Sequence, residues 1–344
     1  MAKLFFLLSG EHESLPTSEL KAIFQAENCQ YKVLEKLDQV LRLESSLDCI
    51  RPLKYRAAFT RLCGQELFNC QADVESIKKA TCSTNFEEVL QQTESFAVRI
   101  KHVRNYSSKI DGMLLEKELG EIILKQTGAR VNLKSPDKTF TGILTDEKLV
   151  FGMKLAEIPA KPFVERRPRK KPFFHPSAMT AKLARCMVNL AKPRNGELLL
   201  DPFCGTGTML IEASLIGCQV VGLDIQRRMI KGTNLNLVHF KTKSEGLIVA
   251  DAKSVPLCKI DCVVTDPPYG ISSTTLKRTT KQIIEELLVA VHELLSKGQR
   301  ICMAAPKTLR LEQLGTALGY KYLESHFFYV HRSLTREIVV FEKV

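Results

Sequence analysis

The sequence predicts an α/β protein, with a mostly parallel, doubly wound sheet in its second half preceded by an α+β region. Three observations carry this. After residue 175, short apolar strands alternate with amphipathic helices. A glycine-rich turn follows the first of those strands, and successive strands end in acids: Asp201, Asp224, Asp251 and Asp266. A chain of 344 residues, 44% hydrophobic and 26% charged, is long enough for two or three domains and at least one filled core.

Residues 3–8 read as an opening strand rather than a secretory signal. The apolar run is short, and Glu11 and Glu13 follow at once. No apolar stretch approaches the ~20 residues that cross a bilayer, so a cytoplasmic protein without a membrane partner is expected. Residues 17–26 and 113–127 have helical character, and 39–43 and 96–100 strand character, with a break between two small subdomains near 70–90. Segment 161–172 carries Lys161, Arg166, Arg167, Arg169, Lys170 and Lys171 against the single Glu165. Its prolines at 162, 168 and 172 disfavour helix in the residues before them, so an extended basic linker is expected. Such a linker serves either as a solvated tether or as a phosphate contact.

The alternation beyond it is regular. Strands are expected at 197–201, 219–224, 246–251, 260–265 and 300–305, with helices at 208–216, 228–240, 281–295 and 309–318. The helix at 281–295 places Ile283, Ile284, Leu287, Leu288, Val291 and Leu295 on one face. Runs at 321–330 and 337–342 close the chain as an antiparallel hairpin at the sheet edge.

The net charge of +12 suits a polyanionic partner, though a membrane surface or solubility alone accounts for it equally well. Eleven cysteines form no C-x-x-C pair, so no metal site is expected. Cys186, Cys218, Cys262 and Cys302 lie in apolar runs and read as small buried hydrophobes. A disulfide among Cys49, Cys63, Cys70 and Cys82 is left open, because it depends on the redox compartment.

Chemistry concentrates in two strings. Residues 201–208 read Asp-Pro-Phe-Cys-Gly-Thr-Gly-Thr at the first strand–helix turn, where an adenosyl cofactor docks in such sheets. Gly205 and Gly207 allow backbone to approach a ligand closely. Asp224, about twenty residues on, suits ribose hydroxyls, and Asp251 suits the adenine amine. The expected lining is Asp201, Pro202, Cys204, Gly205, Thr206, Gly207, Thr208, Asp224, Ile225, Asp251 and Ala252. Each acid alone also fits a helix cap or a turn; three at successive strand ends favour a ligand. No G-x-G-x-x-G and no G-K-[ST] follow, which disfavours a dinucleotide oxidoreductase and an NTPase.

The second string is Asp266-Pro267-Pro268-Tyr269-Gly270. As bare structure it is a rigid turn. Beside an adenosyl site it suits transfer of a methyl group to an exocyclic base nitrogen. That amine is a poor nucleophile because its lone pair is delocalised into the ring. Hydrogen bonds from its N–H groups to the Asp266 carboxylate and the Pro267 carbonyl favour the pyramidal geometry needed for attack. Pro268 stiffens the turn, and Tyr269 can stack on the base.

Together, the strings at 201–208 and 265–270 resemble the amino-methyltransferase branch of the Rossmann-like methyltransferases. That resemblance implies a seven-stranded, mostly parallel sheet and S-adenosylmethionine as donor. DNA adenine and cytosine amine methyltransferases share it, so it does not choose the substrate. Residues 172–177 (Pro-Phe-Phe-His-Pro-Ser) and 182–190 resemble the lead-in of the tRNA guanosine-10 N2-methyltransferase family, which puts Phe174, His175 and Pro176 against the cofactor. Residues 8–11 and 19–20 resemble that family's ferredoxin-like subdomain, and 96–99, 131–133 and 136–137 a THUMP RNA-binding domain. Residues 331–336 are also similar to the family. The resemblance implies a ferredoxin-like subdomain at 1–75, a THUMP domain at 76–158, a linker at 159–174 and a methyltransferase domain at 175–344. It further implies tRNA as partner, one or two methyl groups on N2 of guanosine 10, and for some members a small zinc-binding activator protein. Arg99, Arg104, Arg166, Arg167, Arg169, Lys170 and Lys171 are the candidate phosphate contacts, each competing with a simple solvated charge. The rivals are an amine methyltransferase of DNA or of ribosomal RNA guanine, and a non-enzymatic RNA-binding relic. A relic predicts damage to the loop or to Asp266, and neither is damaged.

Overall fold

The computed structural model describes residues 1–269, 278–331 and 334–344. In chain order its elements begin with β1 (Ala2–Leu8), α1 (Leu15–Ala26), β2 (Tyr31–Leu37), β3 (Val40–Ser45), α2 (Ile50–Arg56) and β4 (Thr60–Gln71). Next come α3 (Val74–Ser83), β5 (Ser95–His102), α4 (Gly112–Thr127), β6 (Arg130–Val131), β7 (Lys138–Thr145) and β8 (Lys148–Glu157). The second half contains α5 (Lys161–Glu165), α6 (Ala181–Leu190), β9 (Leu198–Asp201), α7 (Thr208–Ser214), β10 (Gln219–Asp224), α8 (Arg227–His239) and β11 (Gly246–Val249). It ends with β12 (Cys262–Thr265), α9 (Thr280–His292), β13 (Arg300–Pro306), α10 (Leu311–Ala317), β14 (Tyr320–His331) and β15 (Leu334–Lys343). The chain divides into two compact units, one of residues 1–11, 29–54 and 60–159, the other of residues 12–28, 55–59 and 160–344.

The first unit is built on an eight-stranded sheet in the order β2-β3-β1-β4-β8-β7-β5-β6. Strand β4 pairs with β1 near its start and with β8 along nearly all its length. The sheet therefore runs on through residue 71, and helix α3 occupies the region near 70–90 where a break was expected. Phe86, Phe96, Phe140 and Phe151 form an aromatic core beneath Leu115, Leu119 and Ile123 of α4. The Asp111 carboxylate accepts from the N–H groups of Met113 and Leu114 at the start of α4, and Gly128 closes it at a φ of 66°. A disulfide joins Cys49 to Cys29, whereas Cys63, Cys70 and Cys82 are free. The Cα atoms of the bridged pair lie 5.9 Å apart, within bridging range.

The second unit holds the seven-stranded sheet, in the order β11-β10-β9-β12-β13-β15-β14. Its first five strands pair in parallel, and β15 and β14 complete it antiparallel, as the sequence predicts. The parallel strands are largely apolar because alternate residues enter different cores. Leu199, Val220, Cys262, Val264 and Cys302 pack with α6 and α7, while Leu200, Val221, Val263, Ile301 and Met303 pack with α9 and α10. Cys186, Cys218, Cys262 and Cys302 are buried and free, as expected.

Helix α1 belongs to this unit, and a buried polar network holds it there. The Glu19 carboxylate accepts from the N–H groups of Ala58 (3.1 Å) and Phe59 (2.7 Å) and from Asn189 Nδ2 of α6 (2.9 Å). Arg56 donates to Asn189 Oδ1 at 3.3 Å, to Glu27 at 2.6 Å and to the Pro193 carbonyl at 2.9 Å. The expected extended linker is in part helical: α5 is followed by a 3-10 turn over Pro168–Lys170. Pro162 and Pro168 stand in the first turns of these segments, where a missing N–H costs nothing.

Candidate active site

The carboxyl ends of β9, β10 and β12, with the segment after β11, converge on one cavity of about 810 Å³. The loop after β9 is held by backbone bonds before any ligand is considered. Cys204 N–H donates to the Leu223 carbonyl at 2.8 Å, and Gly207 N–H to the Cys204 carbonyl at 2.7 Å. Gly207 has a φ of 75°, and a Cβ on it would lie 2.7 Å from Thr233 Cγ2, so only glycine fits.

Asp201 is 2% exposed. Its Oδ1 accepts from Thr265 Oγ1 at 2.8 Å and from Phe203 N–H at 3.2 Å. Burial pushes its carboxyl up to about 7, against those bonds. Asp224 accepts from Gln226 N–H at 2.8 Å and Gly205 N–H at 3.1 Å, and burial raises it too. A carboxylate has about four lone-pair sites, so capacity for ribose hydroxyls remains. Asp251 accepts a hydrogen bond from Arg278 at 2.8 Å.

Asp266 follows β12 directly. Its Oδ2 lies 3.2 Å from Arg336 Nη2 of β15, and Oδ1 is buried without a hydrogen-bond partner among the described residues. Burial pushes this carboxyl up to about 7, and Arg336 opposes the shift. The Arg336 guanidinium stands 5.4 Å from the Tyr269 ring centre, and the Tyr269 hydroxyl is likewise buried and unpartnered among the described residues. Gly270, Arg332 and Ser333 lie outside the described residues.

Asp266, Pro267, Pro268 and Tyr269 all line the cavity. So do Asp201, Pro202, Cys204, Gly205, Thr206, Thr208, Asp224, Ile225, Asp251, Ala252, His175 and Pro176. Two expected lining residues do not. Gly207 acts through its backbone, and Phe174 is 40% exposed and outside the lining. The reason lies at Phe173, whose N–H and carbonyl both bond Asn236 at 2.9 Å while its ring packs at Gly232. With Phe173 anchored inward, the next side chain is left exposed.

Several contributors escaped the sequence reading. Asn236 Nδ2 also donates to the Thr206 carbonyl at 2.9 Å, tying the lead-in segment to the loop. Arg278, Arg228, Met179, Phe328 and Arg336 line the cavity. Of these, only Arg336 lay in a quoted string; the others carry no local signal.

Two candidate phosphate contacts are corrected. Arg166 bonds Glu212 through two nitrogens at 2.6 and 3.0 Å, and Lys171 is buried with its Nζ 2.5 Å from Thr208 Oγ1. Burial lowers Lys171 to about 8. Both cations are engaged in the interior, because Glu212 and the loop supply anionic and polar partners there. Arg167, Arg169 and Lys170 are exposed. In the first unit, Arg99 donates to the carbonyls of Val98 and Leu133 at 2.8 and 2.7 Å. Arg104 pairs with Asp38 at 2.9 Å and, with Arg61, Lys101 and His102, lines a cavity of about 680 Å³. No group of three or more metal-ligating side chains occurs among the described residues, and no helix among them is long and apolar enough to cross a membrane.

Residues 168–338 match the family described as RMKL-like, methyltransferase domain, and residues 27–235 match the DNA methylase family. Over the whole chain the sequence is similar to the tRNA (guanine(10)-N2)-dimethyltransferase of Methanothermobacter thermautotrophicus, 38% identical with 99% of this chain and 100% of the relative covered. The protein of the same name from Methanocaldococcus jannaschii is 33% identical, with 98% and 99% covered. Among solved structures, the TrmN crystal structure from Thermus thermophilus superposes with a TM-score of 0.56 at 19% identity, covering 99% of this chain and 100% of the other, which is a likeness of fold.

Proposed function

The chain belongs to the tRNA (guanine(10)-N2)-dimethyltransferase family, and on that footing we propose that it methylates the N2 amine of guanosine 10 in tRNA, once and then again. The carrying observation is the Asp266 carboxylate, open at Oδ1, in the same cavity as three acid-bearing strand ends. S-adenosylmethionine is the donor, and when bound it supplies an electrophilic methyl carbon.

The residues present fit that group. Asp224 offers lone pairs to ribose hydroxyls beside the fixed glycine turn, and Asp251 offers them to an amine. The Asp266 Oδ1 accepts one N–H of the incoming guanine amine, and the Pro267 carbonyl accepts the other. Tyr269 stacks on the base. As the new N–C bond forms, the bond from the methyl carbon to sulfur would break with its electron pair passing to the sulfonium, and Asp266 would take the proton that the amine loses. After the first transfer one N–H remains, enough for the same contact to support the second.

The first unit is read as the RNA-binding part, with ferredoxin-like and THUMP character, supported by the cations at its cavity and the net charge of +12. A cytoplasmic setting follows from a tRNA substrate. The roles divide under mutation. Asp266→Ala should lower kcat about a hundred- to a thousandfold, on the order of losing one oriented polar group, while calorimetry should show S-adenosylmethionine still bound. Asp224→Ala should weaken cofactor binding about tenfold, the loss of roughly one hydrogen bond. Wild-type turnover by Asp266→Ala would remove the carboxylate from the reaction. A small zinc-binding activator protein belongs in a parallel assay, since some members of the family use one.

A further inference from the structure

Residues lining one cavity carry four buried polar atoms without partners among the described residues: Arg278 Nε, whose other nitrogens bond Asp251 and Glu286, and a group of three, Asp266 Oδ1, Tyr269 Oη and Arg336 Nε. Buried polar groups are rarely left so, and those that are commonly await a ligand. The group of three comes from two places in the sheet. Asp266 and Tyr269 follow β12, and Arg336 stands on β15, opposite Pro306 of β13 and Phe328 of β14. The Arg336 side chain thus reaches back across the β13 position to the end of β12. It arrives with one Nη on Asp266 Oδ2 at 3.2 Å and its guanidinium over the Tyr269 ring at 5.4 Å. One cation touches both residues that the transfer is read to use, and it is itself nine-tenths buried.

We propose that Arg336 is a positioning residue for the methyl transfer: it occupies Asp266 Oδ2 and favours the ionised form of this carboxyl, leaving Oδ1 open to the N–H of the incoming amine. The inference rests on the proposed role of Asp266. A protonated Asp266 would present an O–H donor to an N–H donor, and the contact would be lost. Among the described residues, the charged and titratable groups lining the cavity are Arg336 of β15, Asp201 of β9, Cys204 of the loop after it, Asp224 of β10, Tyr269 after β12, the Asp251–Arg278 pair, Arg228 of α8 and His175 of the lead-in. Arg336 is the one charged group among the described residues in contact with the Asp266 carboxylate. Asp201 adds a repulsion within the same pocket. Burial alone drives the carboxyl upward, so removing the one opposing cation leaves Asp266 protonated at neutral pH.

The test is the pH profile of single-turnover methyl transfer to an unmodified tRNA transcript, at saturating S-adenosylmethionine, for the wild type, Arg336→Met and Arg336→Lys. The acidic limb should move up by at least about one pH unit in Arg336→Met, so that its rate is down about fivefold or more at pH 7 and recovers at pH 9. Arg336→Lys, which keeps a charge, should return the limb toward wild type. The affinity for S-adenosylmethionine should stay unchanged in both. An unshifted acidic limb in Arg336→Met, whether its rate is normal or uniformly low, overturns the proposal. So does a limb that Arg336→Lys displaces as far as Arg336→Met does. If Arg336→Met is unfolded by circular dichroism, the Arg336→Lys and Arg336→Gln profiles decide the matter alone. Asp266→Ala separates the two readings: if it turns over like wild type, the proposed reaction scheme fails whatever Arg336 does.

Discussion

Asp201 is caught between opposing forces. Its two hydrogen bonds favour the carboxylate, and burial favours the acid and wins, lifting the group from 3.8 to about 7. The native state therefore holds a proton that the unfolded chain gives up, and stability falls as pH rises from about 4 toward 7. Asp201→Asn keeps an acceptor for Thr265 and Phe203 and removes that loss. It should raise Tm at pH 8, by about 2–4 °C for each kcal/mol gained, and the advantage should shrink at pH 5. An equal change at both pH values would show that the charge is not what burial penalises. At this scale the acids were legible in sequence, because an acid closing an apolar run is a local pattern, and at Asp201 and Asp266 a proline and glycine turn follows. Asp201, Asp224, Asp251 and Asp266 all reach the cavity. Their partners Arg278 and Arg336 were not legible, nor was Asn236 beneath the glycine loop, because all three acquire meaning only when the sheet is folded. Two linker cations were read by charge alone, and Glu212 and Thr208, which engage them, lie far along the chain.

Helix α1 shows what periodicity reveals at the level of an element and what it leaves hidden. Its apolar spacing identifies a helix, and the helix is there, but spacing does not say which core it joins. Position in the chain suggested the N-terminal region; contacts place it with α6, through Glu19, Asn189 and Arg56. Leu15, Ala22, Ala58 and Phe59 share the core of α6 and α7. Glu19 is fully buried and accepts three kinds of donor, so removing it strands the N–H groups of Ala58 and Phe59 together with Asn189. Glu19→Ala should cost about 3 kcal/mol in urea unfolding, and Glu19→Gln markedly less. A loss within experimental error for Glu19→Ala would mean that the network does not anchor the helix. The linker taught a related lesson. Proline disfavours helix before itself but suits a first turn, and 161–170 uses its prolines in the second way.

For the whole molecule, the α/β alternation after residue 175 was read almost element for element, because the central parallel strands are apolar runs and the long helices between them show a 3.6 period. The first half was harder: its sheet is assembled from strands far apart in sequence, with β1 between β3 and β4 and β5 beside β7. The charge of +12 belongs to this scale as well, since it suits a polyanion without saying which one. That choice is the centre of the account, and one measurement addresses it directly. Unmodified tRNA transcript is incubated with the full chain and S-adenosylmethionine labelled in its methyl group, then digested, and the labelled nucleoside is identified and mapped. The account predicts N2-methylguanosine and N2,N2-dimethylguanosine at position 10, with no label in a transcript whose guanosine 10 is replaced by adenosine. Label on an adenine or cytosine amine, at another position, or in duplex DNA in preference to tRNA would contradict it.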